Sequence, residues 1–213
     1  MDERTIKVNG HGKVSVLPDT IEINMVLTTV KPTYEEAMKE AGISLNKLRN
    51  CLREVGFDKE DVKTTDFRVN TKYENIKDME DNYKKVFIGY EVTNNIRIEF
   101  EQNSIVLGKV LDVLSKCEAT PELAIQYKLK DDNKVNELVL KNAINDAKVK
   151  AKIMADTAGV RLGKVVNMEY TGEETPIYKN RALFLIADSP NIDLQPETLE
   201  TETIVNVVFR LES

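Results

Sequence analysis

The sequence of 213 residues has little of what catalytic and metal sites are usually built from. It contains one histidine, two cysteines and no tryptophan, and aromatic residues make up 6% of the chain. A nucleophile that needs a histidine base could use only His11, which lies between two glycines and is better interpreted as a turn residue. One histidine and two distant cysteines cannot complete a zinc site. We therefore expect no catalytic residue, no metal and no cofactor, and a protein that is not an enzyme.

Long apolar runs are also absent. The longest, residues 182–187, is far shorter than the roughly 18 residues that suggest a membrane-spanning helix, so we expect no transmembrane segment. The N-terminus leads directly into strand-like sequence without the apolar core of an export signal. This predicts a cytoplasmic protein, although a chain from which an export signal had been removed would have the same sequence.

The two cysteines, Cys51 and Cys117, each lie in a helical pattern with apolar neighbours. We interpret them as two buried, reduced thiols. A disulfide or a redox pair is the alternative interpretation.

The net charge of −6 is concentrated near the C-terminus. Nine acidic and three basic residues follow residue 168, and acids and bases balance in the rest of the chain. Nucleic-acid binding requires a surplus of lysine and arginine on some surface, so we expect no nucleic-acid partner.

Hydrophobic periodicity predicts an α+β fold of antiparallel sheets packed against helices, in the order β-β-α-β-β-α-β-α-β-loop-β. Period-two alternation around Gly10 and Gly12, and again after Pro18, predicts an opening antiparallel hairpin in which the glycines permit a bulge or a close approach of backbones. The charged, aperiodic residues 75–85 indicate a long solvated hairpin loop.

Three helices are predicted. The first begins with a capping box, Thr33 and Glu36, and ends at Gly56. The second spans about residues 103–116, with Ile105 among its inward residues. The third and longest spans about 132–158, and its alanines would let it lie close to a sheet or to another helix. Its predicted inner face comprises Ala143, Ala147, Ala151, Ala155 and Ala158, backed by Leu138, Ile144 and Met154.

We predict one domain over residues 1–213. It has a body at 5–170, an acidic connection at 171–202 and a returning final strand at 203–212. The connection contains one apolar segment, which is either an extra core strand or a contact between subunits. Its residues Leu183, Phe184, Leu185 and Ile186 are the predicted interface.

Tyr73, Tyr83 and Tyr90 cluster around the second predicted hairpin. They are candidate contacts for a small molecule or a peptide, or ordinary strand aromatics. A carboxylate-dependent enzyme that uses Asp19 or Asp66 with Asp146 is a weaker hypothesis, because no spacing brings two of these residues together.

Several motifs resemble the SIMPL-domain family, which includes bacterial periplasmic immunogenic proteins and a kinase-associated signalling adaptor. The resemblance covers about residues 5–170, and the last strand fits the family's ending. Its motifs are Val8-x-Gly10-x-Gly12 with Val16-x-Pro18-Asp19, then Gly56 with Asp61-Val62-x-Thr64, then Gly89-Tyr90-x-Val92-x-Asn94, and the alanine helix that leads to Gly159 and Leu162-Gly163.

The resemblance implies an α+β architecture without an established enzymatic activity or defined catalytic residues. It also implies ring-like homo-oligomers, in some bacterial members, that are linked to stress tolerance at the cell envelope. We therefore predict a non-enzymatic, self-associating interaction or assembly protein with a stress-related role, or alternatively a small-molecule or peptide-binding module. A homo-oligomer and a protein partner are the expected associations.

Overall fold

The computed structural model describes residues 4–77, 83–170, 181–184 and 196–212, with residues 181–184 described by their backbone alone. The predicted α+β class and order of elements are confirmed, and a short further strand, β7, lies within the predicted acidic connection. The elements are β1 Thr5–Val16, β2 Thr20–Lys31, α1 Tyr34–Glu54, β3 Lys63–Lys77, β4 Tyr83–Glu101, α2 Ser104–Ser115, β5 Glu122–Lys128, α3 Asn133–Thr157, β6 Arg161–Tyr170, β7 Arg181–Phe184 and β8 Leu199–Glu212.

These elements form two compact units. The first contains β1, α3, β6 and β8, and the second contains β2, α1, β3, β4, α2, β5 and β7. Each unit has its own antiparallel sheet and its own buried cluster. The prediction of one domain over the whole chain stays a prediction.

The first unit is a three-stranded sheet, in the order β1-β8-β6, with α3 packed against it. The helix lies so close that a Cβ atom on Gly10 or Gly12 would be 2.0 Å from the carbonyl oxygen of Ala143 or Val139. This close approach of backbones is between β1 and α3 rather than within the predicted hairpin, and the continuous β1–β8 register contains no bulge. Its apolar core comprises Val8, Ala143, Ala147, Ala151, Val205, Val207 and Phe209.

The predicted opening hairpin is wrong. β1 pairs along its whole length with β8, whereas β2 pairs with β4. Period-two alternation reveals which face of a strand is buried but not which strand lies beside it. Pro18 marks the passage from one unit to the other rather than a hairpin turn.

The second unit contains a five-stranded sheet in the order β3-β4-β2-β5-β7, with α1 and α2 packed in its main hydrophobic cluster. The deepest side chains alternate along β2 and β4 and recur along one stripe of each helix, as periods of 2 and 3.6 require. Fully or nearly fully buried members include Ile21, Ile23, Met25, Leu48, Leu52, Ile96, Ile98, Val110 and Leu114.

The helix boundaries follow the predicted caps closely. Thr33 precedes α1, and its hydroxyl oxygen accepts a hydrogen bond from the Glu36 amide at 3.3 Å. Asn103 precedes α2 and accepts from the amides of Ile105 and Val106. α3 begins within one residue of its predicted start, although Asp132 makes no side-chain capping bond.

Some predicted inward residues face outward instead. Ile105, Leu138, Met154 and Ala158 are exposed, whereas Val139 is buried beside the alanines of α3.

β8 begins at Leu199, four residues before the predicted final strand. The predicted loop at 75–85 is also too long, because β3 continues to Lys77 and β4 begins at Tyr83.

Candidate interaction surface

The second unit carries a two-stranded arm formed by residues 72–77 of β3 and 83–89 of β4. β2 pairs with β4 only as far as Tyr90, opposite Lys31, and Pro32 follows. Beyond that point β3 and β4 pair only with each other among the described residues. Two-stranded hairpins are marginally stable in water without further packing, so the arm is a natural place for additional contacts.

Aromatic rings form a continuous row from α1 onto this arm. Tyr34 meets Tyr90 at a centroid distance of 5.7 Å, Tyr90 meets Phe87 at 5.5 Å, and Phe87 meets Tyr73 at 5.6 Å. All three pairs have edge-to-face geometry, which is favourable for aromatic rings. Tyr34, Tyr73 and Phe87 nevertheless remain 44–54% exposed.

A β-bulge places Phe87 and Tyr90 on the same face. The register passes from Lys72 opposite Gly89 to Tyr73 opposite Phe87, so Ile88 has no opposite residue. Residues three apart on a regular strand would project to opposite faces, and the inserted residue reverses this alternation. Gly89 is required here, because its φ is +143° and a Cβ would lie 2.2 Å from the Lys31 carbonyl oxygen.

Lysines flank the outer tyrosines of the arm. The ammonium of Lys85 lies 5.0 Å from the ring centroid of Tyr73, and that of Lys77 lies 5.6 Å from the ring centroid of Tyr83. Both distances are within the range of a cation–π contact. The arm therefore presents apolar ring surface together with positive charge.

The three tyrosines selected from the sequence all belong to this face. Tyr73 and Tyr90 are joined through Phe87, and Tyr83 lies further out on the same strand, 71% exposed. Their role as ligand contacts stays a prediction. Phe87 and Tyr34 could not be selected from the sequence. Phe87 joins this face through a β-bulge, and Tyr34 joins it through the packing of α1 against β4, and neither feature produces a periodic pattern of residues.

Part of the predicted apolar interface lies in β7. Leu183 and Phe184 are opposite Ala124 and Leu123 of β5, so the segment joins the five-stranded sheet through its backbone. Leu185 and Ile186 lie outside the described residues. Whether these four residues contact another subunit stays a prediction.

In the first unit, side chains of α3 cover the backbone of β1 along the edge that does not pair with β8. The Asp146 carboxylate accepts from the His11 amide at 2.7 Å, while Lys150 and Asn142 donate to the carbonyl oxygens of Asn9 and Lys13 at 3.3 Å. Side chains four residues apart on one helix thus meet alternate residues of one strand. Such contacts protect an edge strand from pairing with another chain.

These contacts assign a structural role to the His11 amide and the Asp146 carboxylate. The Lys150 ammonium is 2.7 Å from the Asp146 carboxylate, and it and the His11 amide hold the pKa of Asp146 below its usual value. The carboxylate is already engaged by two donors. Asp66 is paired with Arg68 at 2.7 Å, and Asp19 accepts from the Thr20 hydroxyl.

An open groove of about 460 Å³ lies beside the same edge of β1. It is lined by Lys7, Val8, Asn9, Lys150, Ile153 and Met154. Ile153 and Met154 are more than half exposed there, so the groove combines apolar surface with the ammonium of Lys7 and with Lys150, which is paired with Asp146.

Two further properties concern the described part of the chain alone. Within it, no three histidine, cysteine or acidic side chains are grouped so that they could hold a metal ion. Within it, too, no helix has the length and apolar character needed to cross a membrane.

The structure brings the two cysteines together. The Cys51 and Cys117 Sγ atoms are 2.6 Å apart, and both thiols are free. Cys117 is buried as predicted, whereas Cys51 is only partly buried. Because the two cysteines are 66 residues apart along the chain, no local pattern predicts this contact.

The fold and this surface define an α+β protein whose most distinctive feature is an exposed aromatic arm. The sequence model of the SIMPL family, described as "Protein of unknown function (DUF541)", matches residues 6–209. The chain therefore belongs to the SIMPL family, as the motif resemblance predicted.

Curated relatives match over nearly the whole chain. The chain is 26% identical to the 26 kDa periplasmic immunogenic proteins of Brucella melitensis biotype 1 and Brucella abortus strain S19, covering 97% of this chain and 84% of each relative. It is 22% identical to the uncharacterized protein YggE of Edwardsiella ictaluri, covering 97% of this chain and 86% of the relative. The names of the Brucella relatives place those proteins in the periplasm, and nothing in the comparisons supports the predicted cytoplasmic location.

Proposed function

We propose that this protein is a non-enzymatic assembly protein that self-associates, and that its aromatic arm packs against a second copy of the chain. The observation that carries the proposal is the row of rings from Tyr34 to Tyr73. Helix α1 covers one part of this face of the sheet, and the rings extend the same face beyond the helix. Val92 and Ala37 are buried at the covered end of this face, and exposure rises along the arm.

The size of the exposed surface favours a protein partner over a small ligand. A large aromatic side chain buries roughly 150–250 Å² when it is fully enclosed. Tyr34, Tyr73, Tyr83 and Phe87, which are 44–71% exposed, therefore offer roughly 300–500 Å² together. A standard interface needs about 800 Å² from each partner, so the arm supplies about half of one.

We also propose that the protein is exported. The support is the periplasmic location stated in the names of two relatives that match 97% of this chain. Fractionation of the native host cells, with antibody detection of this chain, tests the proposal, and recovery in the cytoplasmic fraction alone would contradict it. The stress-related role that the family resemblance implies remains a prediction.

The test of the arm compares solution masses by light scattering. We expect the wild-type chain to have a mass above that of one copy across about 1–100 μM, the range in which micromolar interfaces dissociate. The double variant Tyr73→Ser with Phe87→Ser should have a lower mass at every concentration, because it removes two exposed rings from the arm.

A matched control removes two exposed apolar side chains from the same unit but outside the arm. Ile43 on α1 and Ile105 on α2 are both exposed, so Ile43→Ser with Ile105→Ser should leave the mass unchanged. Circular dichroism checks that each variant folds. An equal loss of mass in both double variants would show that the arm has no special part in association.

The open groove favours a second candidate function, the binding of a small amphiphilic anion. The Lys7 ammonium suits a carboxylate or phosphate, since Lys150 is already paired with Asp146, and Ile153 with Met154 suits an apolar tail. A thermal-shift series with fatty acids of increasing chain length tests this, with Met154→Glu as the variant expected to abolish any shift. No shift with any chain length would reject it.

A further inference from the structure

The chain has two cysteines, and the fold places them side by side although they belong to different elements. Cys51 lies in the last turn of α1, and Cys117 follows Lys116, the residue at the C-cap of α2. Their Sγ atoms are 2.6 Å apart. A disulfide holds its sulfurs about 2.05 Å apart, so a movement of roughly half an ångström would bring these two to bonding distance.

Neighbouring contacts hold both cysteines in position. The Cys117 amide donates to the Leu114 carbonyl, and the Cys117 carbonyl accepts from the Thr120 amide, so its backbone is fixed in a turn. One helical turn before Cys51, Lys47 forms an ion pair at 2.7 Å with Glu118, the residue after Cys117. The ion pair and the sulfur contact therefore join the same two segments.

The two cysteines differ in their exposure to solvent. Cys117 is 3% exposed and belongs to the main hydrophobic cluster of the second unit. Cys51 packs against that cluster but remains partly exposed, so a small thiol reagent can reach it first. With two cysteines in the whole chain, each has one possible intramolecular partner.

We propose that Cys51 and Cys117 form a reversible disulfide that locks α1 to the end of α2. The oxidant is a small-molecule or protein disulfide, acting by thiol–disulfide exchange. This site goes beyond the proposed assembly function and does not depend on it.

With oxidised glutathione, the exchange has two steps. One protein thiol loses its proton to solvent, attacks a glutathione sulfur, forms a mixed disulfide and releases one glutathione thiolate. The second protein thiol then also loses its proton, attacks the first protein sulfur and releases the other glutathione. One protein S–S bond forms as the glutathione S–S bond breaks, two electrons pass from the protein to glutathione, and the two protons end on the glutathione thiols.

The chemistry of the pair makes uncatalysed exchange slow. Burial, together with the hydrogen bond to Cys117, raises the pKa of Cys51 to about 12. The Cys51 thiol is therefore protonated at neutral pH, and thiolate is the species that attacks. Oxidation over minutes to hours, or with the help of an oxidoreductase, is the expected behaviour.

The bond would close a long loop that contains β3, β4 and α2. Closing a loop of this length restricts the unfolded chain strongly, and the melting temperature should rise by about 5–10 °C in the oxidised protein.

The experiment equilibrates the purified full chain with mixtures of reduced and oxidised glutathione. It then blocks the remaining thiols with N-ethylmaleimide after denaturation and counts adducts by intact mass. We expect two adducts in reducing mixtures and none in oxidising mixtures, with the chain monomeric on a non-reducing denaturing gel. Peptide mapping should find the peptides that contain Cys51 and Cys117 joined, and dithiothreitol should restore both adducts.

Melting curves under the same conditions test the locking. The wild type should melt higher when oxidised, whereas Cys51→Ser and Cys117→Ser should show no difference between reducing and oxidising mixtures. The proposal is overturned by two adducts in every mixture, by disulfides that link separate chains, or by an oxidised wild type that melts no higher than the reduced one. The adduct count and the mapping use the wild type, so they decide the question even where a serine variant fails to fold.

Discussion

At the scale of single residues, Gly10 and Gly12 do most to determine how α3 packs. Their missing side chains let the helix backbone lie directly on β1, opposite the buried alanines of α3. Three α3 side chains can then reach the β1 backbone. The alanine stripe and the glycine pair are therefore two halves of one packing arrangement.

Gly10→Ala should destabilise the first unit by at least about 2 kcal/mol, because the added methyl would overlap the Ala143 carbonyl and the core would have to move apart. Urea unfolding measures the loss. Gly42→Ala is the control, since a Cβ there meets nothing within 4 Å and alanine is favoured by roughly 1 kcal/mol inside a helix. A Gly10→Ala chain as stable as the wild type would contradict the packing described.

Asp146 should make the stability of the first unit depend on pH. Its pKa is lowered in the folded chain by Lys150 and the His11 amide. Such a group stabilises the fold above its unfolded pKa, near 3.9, and this contribution is lost as the pH falls through the lower folded value. Because the side chain is one-third exposed, we expect about 0.5–1 kcal/mol.

The measurement is the difference in unfolding free energy between the wild type and Asp146→Asn, taken from pH 7 down to pH 2. The difference should be largest at neutral pH and vanish at the acid end. Asp156→Asn, on the exposed surface of the same helix, is the control for removing one negative charge from α3. Parallel curves for wild type and Asp146→Asn would rule out the role assigned to this carboxylate.

At the scale of elements, the helices obey their local signals. The Thr33 hydroxyl both accepts from the Glu36 amide and donates to the Glu36 carboxylate at 2.9 Å, which fixes the first turn of α1 beside the aromatic row. Tyr34, which meets Tyr90, is the first residue of that turn.

Thr33→Ala should cost about 1 kcal/mol, because an amide of the first turn loses its acceptor. This corresponds to a fall of about 2–4 °C in melting temperature. Thr33→Ser keeps the hydroxyl and should melt close to the wild type. Equal losses in both variants would point to the threonine methyl rather than to the cap.

Local signals could be predicted from the sequence, whereas contacts between distant segments could not. The predicted helix boundaries lie within one or two residues of the observed ones, because Thr33, Asn103 and Gly56 act on their immediate neighbours. The partner of β1 could not be predicted, because β8 lies almost 200 residues away and alternation is the same beside any partner. The outer part of the arm has the sequence of a loop, because residues 75–77 and 83–85 are polar or charged apart from Ile76 and Tyr83, and all are exposed, so no buried face displays a period of two.

For the candidate site, the sequence supplied the residue types but not the arrangement. Tyr73, Tyr83 and Tyr90 could be selected because they surround one hairpin. Their common face depends on the bulge at Ile88, which is a property of strand pairing. The contact between the cysteines depends on the packing of α1 against α2, which no local pattern encodes.

At the scale of the whole molecule, two small α+β units share one chain, and their sheets differ in how much of their surface is covered. In the first, α3 side chains cover the edge of β1. In the second, β3 and β4 run on into an arm whose rings remain about half exposed. An exposed aromatic surface of this kind is typical of association between proteins.

The most direct test of this account is the mass of the wild-type chain in solution, measured by sedimentation velocity over about 1–100 μM. One copy has a mass of 24.2 kDa. We predict a particle of two or more copies that dissociates toward one copy on dilution or holds its size throughout. A constant mass of 24.2 kDa at every concentration would contradict the claim that the arm packs against a second copy.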